Sequence, residues 1–290
     1  MKLFLKKLFA FLVIPFALSL VTGFVLIAYN SNSINYKLGD GITGIFLGDS
    51  HVRCSLNDSL MPNRKNVSGN SESLYFSYYK LEKLLDENQN IKIVYLGFSY
   101  HSLSNYYDDF ITGNFSNSVS PMYFYTLPSK ERLKMFYWNR EKLFSYVKEL
   151  LSTGYKSTLN ESPADFTGGY SNVFTNTMAL DTSMDKRIKF QYYSKNKLNN
   201  FSEINLLYFY KILNLCKTKH IELILLKTPL HTYYEKRVPA EYVSRYNEIV
   251  TENKLKIIDF ANITFSDSCF LPDGEHLSVK GADQVTKEFL

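Results

Sequence analysis

Residues 45–54 read IFLGDSHVRC, an apolar run that ends at a glycine and is followed by an acid, a hydroxyl and an imidazole. Three interpretations fit this stretch. Ser50 can be a nucleophile, Asp49 and His51 can bind a metal ion, or the segment can be a polar turn after a buried strand. The segment alone does not choose among them.

A second polar segment, LPDGEHLSVKGA (271–282), places Asp273 three residues before His276. In a Ser-His-acid site the imidazole takes the hydroxyl proton, and a carboxylate holds the correct tautomer and stabilises the imidazolium. One loop can therefore supply both partners that a nucleophilic serine needs. The alternative is structural, with Asp273 and Ser278 capping the following helix and His276 lying at the surface.

The metal interpretation is the less favoured one. Asp49 and His51 form an Asp-x-His pair, as at the start of metallophosphoesterase sites, but a two-metal site needs further carboxylates and imidazoles. The segments SGNSES (68–73) and LGFSYHS (96–102) do not provide them. His51 is also a poor base for Ser50, because adjacent side chains usually point apart, so it either packs over the next helix or contacts substrate. We therefore expect neither a metal nor a cofactor.

The elements that must position these residues alternate between strand-like and helix-like segments. ITGIFLGDS (42–50) and IKIVYLGFSY (91–100) are typical of buried parallel strands. Between them SESLYFSYYKLEKLLDENQN (71–90) predicts a helix capped by Ser71 or Ser73. The C-terminal third continues as helix 203–220, strand 221–229, helix 240–254, strand 255–261 and helix 279–290.

Such βα alternation predicts a three-layer α/β/α fold with a doubly wound, mainly parallel, flavodoxin-like sheet. Ligands bind beyond the carboxyl ends of the strands in this fold, which is where both polar motifs fall. Residues 102–200 do not follow the alternation and read as one mostly helical insertion over the strand ends. Within it we expect a helical region at 128–152 and a loop at 153–172.

Together these features resemble the SGNH (GDSL-type) hydrolases, which are α/β/α esterases and acyltransferases. Gly48-Asp49-Ser50 matches the first block of that family, whose serine is the nucleophile. Asp273 and His276, with the HLSxxG continuation, match the last block. The resemblance covers residues 43–101 and 203–290 and excludes the insertion. It implies acyl transfer through Ser50, with His276 as the base and Asp273 as the acid that orients it.

The resemblance also implies an oxyanion hole, but this sequence matches only part of the family's pattern for it. The N–H of Ser50 and that of Gly69, in NVSGNSES, correspond to two of its donors. The third donor in the family is usually an asparagine at the end of the strand that corresponds to residues 91–100 here. Ser99 occupies that position. The Ser99 hydroxyl can substitute for it, or His101 can contact the substrate. Loss of one oxyanion donor typically lowers the rate by about 100- to 1,000-fold, so a weak or inactive member is the alternative.

The N-terminus predicts attachment to a membrane. Lys2, Lys6 and Lys7 precede residues 8–28, which carry no charge and are long enough to span a bilayer. The sequence Ile27-Ala28-Tyr29 fits a cleavage site poorly, so we expect an uncleaved anchor over residues 1–30 rather than a signal peptide. The positive-inside rule then sends residues 31–290 out of the cytoplasm.

That location suggests the substrate class by analogy. Anchored members of the resembled family that face away from the cytoplasm often edit or install O-acyl groups on cell-envelope or exported polysaccharides. The resemblance therefore implies a carbohydrate or acyl-ester substrate, with a membrane-embedded acyltransferase as a partner if the reaction is transfer. A non-catalytic protein that binds glycans or scaffolds their assembly is the alternative.

Charge and cysteine content exclude two other classes. The formal charge is +5, but three of those charges are the N-terminal lysines, so the remainder carries only +2 and no nucleic-acid footprint. Cys54, Cys216 and Cys269 are an odd number without Cys-x-x-Cys spacing. This argues against a disulfide framework and against a zinc site.

Overall fold

The structure, a computed structural model, describes residues 2–159 and 166–290. Seven strands occur in these residues: β1 Gly44–Leu47, β2 Arg64–Asn66, β3 Ile93–Gly97, β4 Tyr193–Ser194, β5 Lys197–Leu198, β6 Glu222–Leu226 and β7 Lys256–Ile258. Five of them form one parallel sheet in the order β2-β1-β3-β6-β7, and β4 and β5 form a small antiparallel hairpin. This is the flavodoxin-like doubly wound order.

Helices cover the sheet and build the insertion. In the described residues they are α1 Lys2–Ser33, α2 Ser50–Ser55, α3 Leu74–Glu87, α4 Asp108–Ile111, α5 Ser116–Phe124, α6 Ser129–Trp138, α7 Leu143–Leu159, α8 Asp181–Tyr192, α9 Glu203–Thr218, α10 Thr232–Glu235, α11 Ala240–Glu252 and α12 Val279–Lys287. α3 packs against α9, and α12 packs against α2. The predicted α/β fold class with its parallel sheet is confirmed.

The central strands are buried because their sequences are apolar on both faces. Every residue of β1 is buried, and Val94, Tyr95 and Leu96 of β3 are buried beside it. Burial at about 25 cal/mol per Å² of apolar surface makes this layer the main source of fold stability. α3 begins after Ser73, one of the two predicted N-caps.

The region between β3 and α9 holds α4 to α8 and the β4–β5 hairpin. The helical prediction for 128–152 corresponds to α6 and α7. The predicted loop at 153–172 was wrong in its first part, because α7 continues to Leu159 with Gly154 buried. Residues 160–165 of that prediction lie outside the described residues, and 167–172 lack helix and strand.

Helix α1 contains the predicted anchor. The stretch Lys6–Ser33 is long and apolar enough to cross a membrane, with a mean hydropathy of 2.5. A signal sequence near the N-terminus also meets these criteria of length and composition.

Candidate active site

Ser50 stands at a sharp strand-to-helix turn. β1 ends at Leu47, Asp49 caps α2, and Ser50 is the first residue of that helix. Gly48 turns the chain with φ +153, and a Cβ there would lie 3.2 Å from Cα of Gly97 on the neighbouring strand. Only glycine fits this conformation and this close approach. The turn therefore presents the Ser50 side chain beyond the carboxyl end of the sheet.

The structure brings Ser50, His276 and Asp273 into one chain of contacts. Ser50 Oγ lies 2.7 Å from His276 Nε2, and His276 Nδ1 lies 2.8 Å from Asp273 Oδ2. The other Asp273 oxygen, Oδ1, accepts from the backbone N–H of His276 at 3.1 Å. Burial opposes ionisation of Asp273, but its hydrogen bonds with His276 lower its pKa. With a charged carboxylate on Nδ1, His276 presents an unprotonated Nε2 to Ser50, as acyl transfer requires.

The three predicted oxyanion donors differ in whether their donor group already makes a hydrogen bond. As the first residue of α2, Ser50 has an N–H without a partner inside the helix. Ser99 is buried and forms a capping box with Ser102, but the proton of its hydroxyl has no acceptor among the described residues. Gly69, however, donates its N–H to the carbonyl of Gly48 at 3.0 Å. This N–H continues the β1–β2 ladder in the structure, and the oxyanion role of Gly69 stays a prediction.

A buried ion pair holds the loop that contains Gly69. Lys80 Nζ lies 2.5 Å from Glu72 Oε2 and also donates to the Val67 carbonyl. Ser77 Oγ donates to the other Glu72 oxygen at 2.7 Å. A side chain at Gly69 would collide with Glu72 and with the Tyr123 hydroxyl. This packing fixes the backbone that follows β2.

Asp49 accepts three hydrogen bonds behind the serine. Its Oδ1 accepts from the N–H of His51 at 3.0 Å, and its Oδ2 accepts from His101 Nε2 at 2.9 Å and from the Tyr107 hydroxyl. Burial opposes its ionisation, but the charge of His51 and the bonds from His101 and Tyr107 lower its pKa. His51 and His101 are themselves buried and stacked on each other. The predicted substrate-contact residues therefore belong to a buried network in this structure.

Glu275 is the second buried carboxylate of this network. It is fully buried and pairs with Arg187 from α8, while Gln191 Nε2 donates to it at 2.8 Å. His51 Nε2 lies 3.4 Å from Glu275 Oε2. Burial opposes its ionisation, but Arg187 and His51 hold the pKa of Glu275 well below its usual range. Sequence reasoning missed Glu275 and Arg187, and the only available signal was that Glu275 precedes His276.

Among the residues that the structure describes, two groups of side chains are compact enough to be considered for a metal ion: Asp49 with His51 and His101, and His51 with Glu275 and His276. The His51 and His101 rings are stacked at an interplanar angle of 28°. Nitrogen lone pairs lie in the ring planes, so those of two stacked rings do not converge on one point. His101 already bonds directly to Asp49. The group of Asp49, His51 and His101 therefore fits a hydrogen-bond network better than a metal centre.

A polar cleft of about 560 Å³ lies beyond the ends of β6 and β7, and none of Ser50, Ser99, Asp273 and His276 lines it. His231 lines the cleft, and its backbone N–H donates to the carbonyl of Gly274, the residue after Asp273. Lys227 also lines it and bonds to the hydroxyl of Tyr100, the residue after Ser99. Hydrogen bonds thus connect two of its lining residues to the loops that carry Asp273 and Ser99.

Comparisons with known proteins gave matches among solved structures alone. No protein-family model matches the chain, and no curated protein matches it. A GDSL-like lipase from Bacteroides thetaiotaomicron is 10% identical, with 91% of this chain and 96% of that chain covered and a TM-score of 0.37. A protein assigned as an acylhydrolase from Bacteroides fragilis is 11% identical, with 90% of each chain covered and a TM-score of 0.36. At such low similarity, the fold and the site rest on this chain's own geometry.

Proposed function

We propose that this chain is an SGNH-type serine esterase or O-acyltransferase that acts through an acyl-serine intermediate. The observation that carries the proposal is the continuous contact from Ser50 Oγ through His276 to Asp273, with distances of 2.7 and 2.8 Å. Three residue types in this order, at hydrogen-bond distance, are what nucleophilic catalysis by serine needs.

The proposed reaction has two halves. His276 Nε2 takes the hydroxyl proton as Ser50 Oγ bonds to the acyl carbon, and the protonated imidazole then gives that proton to the leaving alcohol. In the second half His276 takes a proton from water or a sugar hydroxyl as that oxygen bonds to the acyl carbon, and it gives this proton to Ser50 Oγ as the bond between Oγ and the acyl carbon breaks. The Ser50 N–H and the Ser99 hydroxyl donate to the oxyanion in both halves. Asp273 stabilises the imidazolium throughout.

For the substrate we propose O-acyl groups, acetyl-like in size, on cell-envelope or exported polysaccharide. Helix α1, which suits a membrane span, supports this choice. In transfer, the acyl group would come from a membrane-embedded acyltransferase. In hydrolysis, water would be the acceptor and no partner would be needed.

A second candidate is a catalytically degenerate protein that binds glycans or scaffolds their assembly. It is favoured by the oxyanion region, where Ser99 replaces the usual asparagine and the Gly69 N–H is bonded to Gly48. Without enough donors, the triad would give little turnover.

Labelling with a fluorophosphonate separates these candidates. The full-length chain, purified in detergent, is treated with the probe and assayed with a chromogenic acetyl ester. We expect Ser50 to be labelled and turnover to be lost in Ser50→Ala, whereas Ser59→Ala, an exposed serine, leaves both unchanged. Absence of both labelling and turnover would favour the scaffold. Turnover that survives Ser50→Ala but is lost with a chelator would favour a metal-dependent phosphoesterase-like site.

A further inference from the structure

The proposed nucleophile and its base come from distant parts of the chain. Ser50 is the first residue of α2, whereas His276 lies in the loop that precedes α12. Catalysis by serine requires the two side chains to stay at hydrogen-bond distance, and a displacement of about 1 Å can lower a rate by about 100-fold. Contacts that fix α2 relative to this loop therefore bear directly on the proposed reaction.

One segment of the insertion bonds to α2. Residues 168–180, called here the crossing segment, contain neither helix nor strand. The Ser171 N–H donates to the Arg53 carbonyl of α2 at 3.2 Å, and the Cys54 thiol lies 3.5 Å from the Ser171 carbonyl. The start of the crossing segment is thus joined to the helix that begins at Ser50.

The crossing segment also bonds to the chain on both sides of His276. The Phe174 carbonyl accepts from the N–H of Val279, three residues after His276, at 2.9 Å. The Leu180 N–H donates to the carbonyl of Pro272, four residues before His276, at 3.1 Å. The two ends of the loop are therefore held by the same stretch of the insertion that holds α2.

Asn172 joins α2 to the loop through a single side chain. Its Nδ2 donates to the Cys54 carbonyl and to the Leu277 carbonyl, each at 2.8 Å. Its Oδ1 accepts from the Phe174 N–H at 3.1 Å. These bonds use both protons of the amide, and the reverse orientation would set the amide oxygen against two carbonyls. The network therefore fixes the Asn172 side chain in one orientation.

The two carbonyls that Asn172 binds lie next to the reacting residues in the chain. Cys54 comes about one helical turn after Ser50, and Leu277 directly follows His276. Cys54 is also in the last turn of α2, where a carbonyl has no partner inside the helix. One amide thus satisfies the end of the nucleophile's helix and the backbone beside the base.

We propose that Asn172 is a positioning residue that fixes the separation of Ser50 Oγ and His276 Nε2. Its amide bonds to backbone groups rather than to the reacting side chains, so it acts through the placement of α2 and the loop. The proposal rests on the proposed acyl transfer through Ser50 and deepens it, because it gives the insertion a part in assembling the site.

Steady-state kinetics of Asn172→Asp with the chromogenic acetyl ester tests this role. The carboxylate has nearly the same size and still accepts from the Phe174 N–H, but it cannot donate to the carbonyls of Cys54 and Leu277. We expect kcat to fall by about 100-fold with little change in KM, because the reacting groups move apart while the substrate contacts remain. Asn262→Asp, at an exposed asparagine, is the matched control and should change neither constant.

Fluorophosphonate labelling separates positioning from simple loss of folded protein. We expect almost every Asn172→Asp chain to be labelled at Ser50, with a rate constant about 100-fold below that of the native chain. A smaller labelled fraction that reacts at the native rate would overturn the proposal, because it would mean that Asn172 only stabilises the fold.

The native chain distinguishes failure of this proposal from failure of the proposed function. A native chain that hydrolyses the ester, together with an equally active Asn172→Asp, would overturn the positioning role and leave the esterase assignment in place. A native chain that shows neither turnover nor labelling of Ser50 would overturn the esterase assignment and, with it, the role of Asn172.

Discussion

His51 stacks face to face on His101, with ring centroids 4.0 Å apart. Asp49 bonds to His101, Glu275 lies beside His51, and the His276 ring meets His51 edge-on at 4.6 Å. The catalytic imidazole proposed here therefore ends a row of three imidazoles between two buried carboxylates. In this setting the pKa of His51 is raised and the pKa of His101 is lowered.

The His51 side chain should stabilise the fold at low pH. Burial opposes its protonation, but Asp49 and Glu275 raise its pKa above the usual 6.5. A raised pKa in the folded state gives stability that is fully present below 6.5 and is lost as pH rises through the folded pKa. A difference of one in pKa corresponds to about 1.4 kcal/mol. Thermal unfolding between pH 5 and 9, as a rough range, should show this alkaline decline in the native chain and not in His51→Gln.

His101 should give the folding stability a pH dependence opposite to that from His51. Burial and the charge of His51 lower its pKa below 6.5, so the folded chain holds it neutral. Stability from this group is lost as pH falls from 6.5 through the lowered pKa. We expect His101→Gln to lose that acid-side slope while it keeps the alkaline decline. Identical pH profiles of the two variants would contradict the distinct roles of the rings.

Ser99 decides how much of the oxyanion hole remains. If its buried hydroxyl, whose proton has no acceptor among the described residues, donates to the oxyanion, Ser99→Ala should lower kcat by about 100-fold. KM should change little, because the bond strengthens only in the transition state. Ser99→Asn should retain activity. Steady-state kinetics with the chromogenic ester measures both. An unchanged kcat in Ser99→Ala would show that other donors suffice.

Removing Arg187 and removing Glu275 should lower the free energy of unfolding by different amounts. Glu275 is fully buried, whereas a quarter of the Arg187 side chain is exposed. Arg187→Met leaves a buried carboxylate without its main partner, which costs about 3 to 5 kcal/mol. Glu275→Gln leaves a partly solvated guanidinium and should cost less. Urea unfolding of the two variants tests the order, and a larger loss in Glu275→Gln would contradict it.

The sequence predicted the parts of the fold that depend on apolar patterning. β1 and β3 are continuous apolar runs, and α9 and α11 begin at the residues expected from their helical segments. β2, with the sequence Arg-Lys-Asn, was missed because an edge strand of three polar residues carries no hydrophobic signal.

The sequence predicted only those contacts of the candidate site that join residues close together in the chain. Asp273 and His276 share one loop, and their contact follows from a separation of three residues. Arg187 reaches Glu275 across 88 residues of chain from the insertion, so no spacing rule connects them. The orientation of the Gly69 N–H depends on the path of the backbone after β2, which residue types do not specify.

Asp273 offers the sharpest test of the triad, because the chain contains a second His–Asp pair for comparison. Asp273→Asn places an amide on His276 Nδ1, which favours the wrong tautomer and should lower kcat by about 10,000-fold without unfolding the loop. His231 and Asp267 form a similar contact at 3.1 Å, where Asp267 is exposed. Asp267→Asn should therefore leave ester hydrolysis unchanged. A comparable loss of kcat in both variants would mean that Asp273 acts through loop structure rather than through His276.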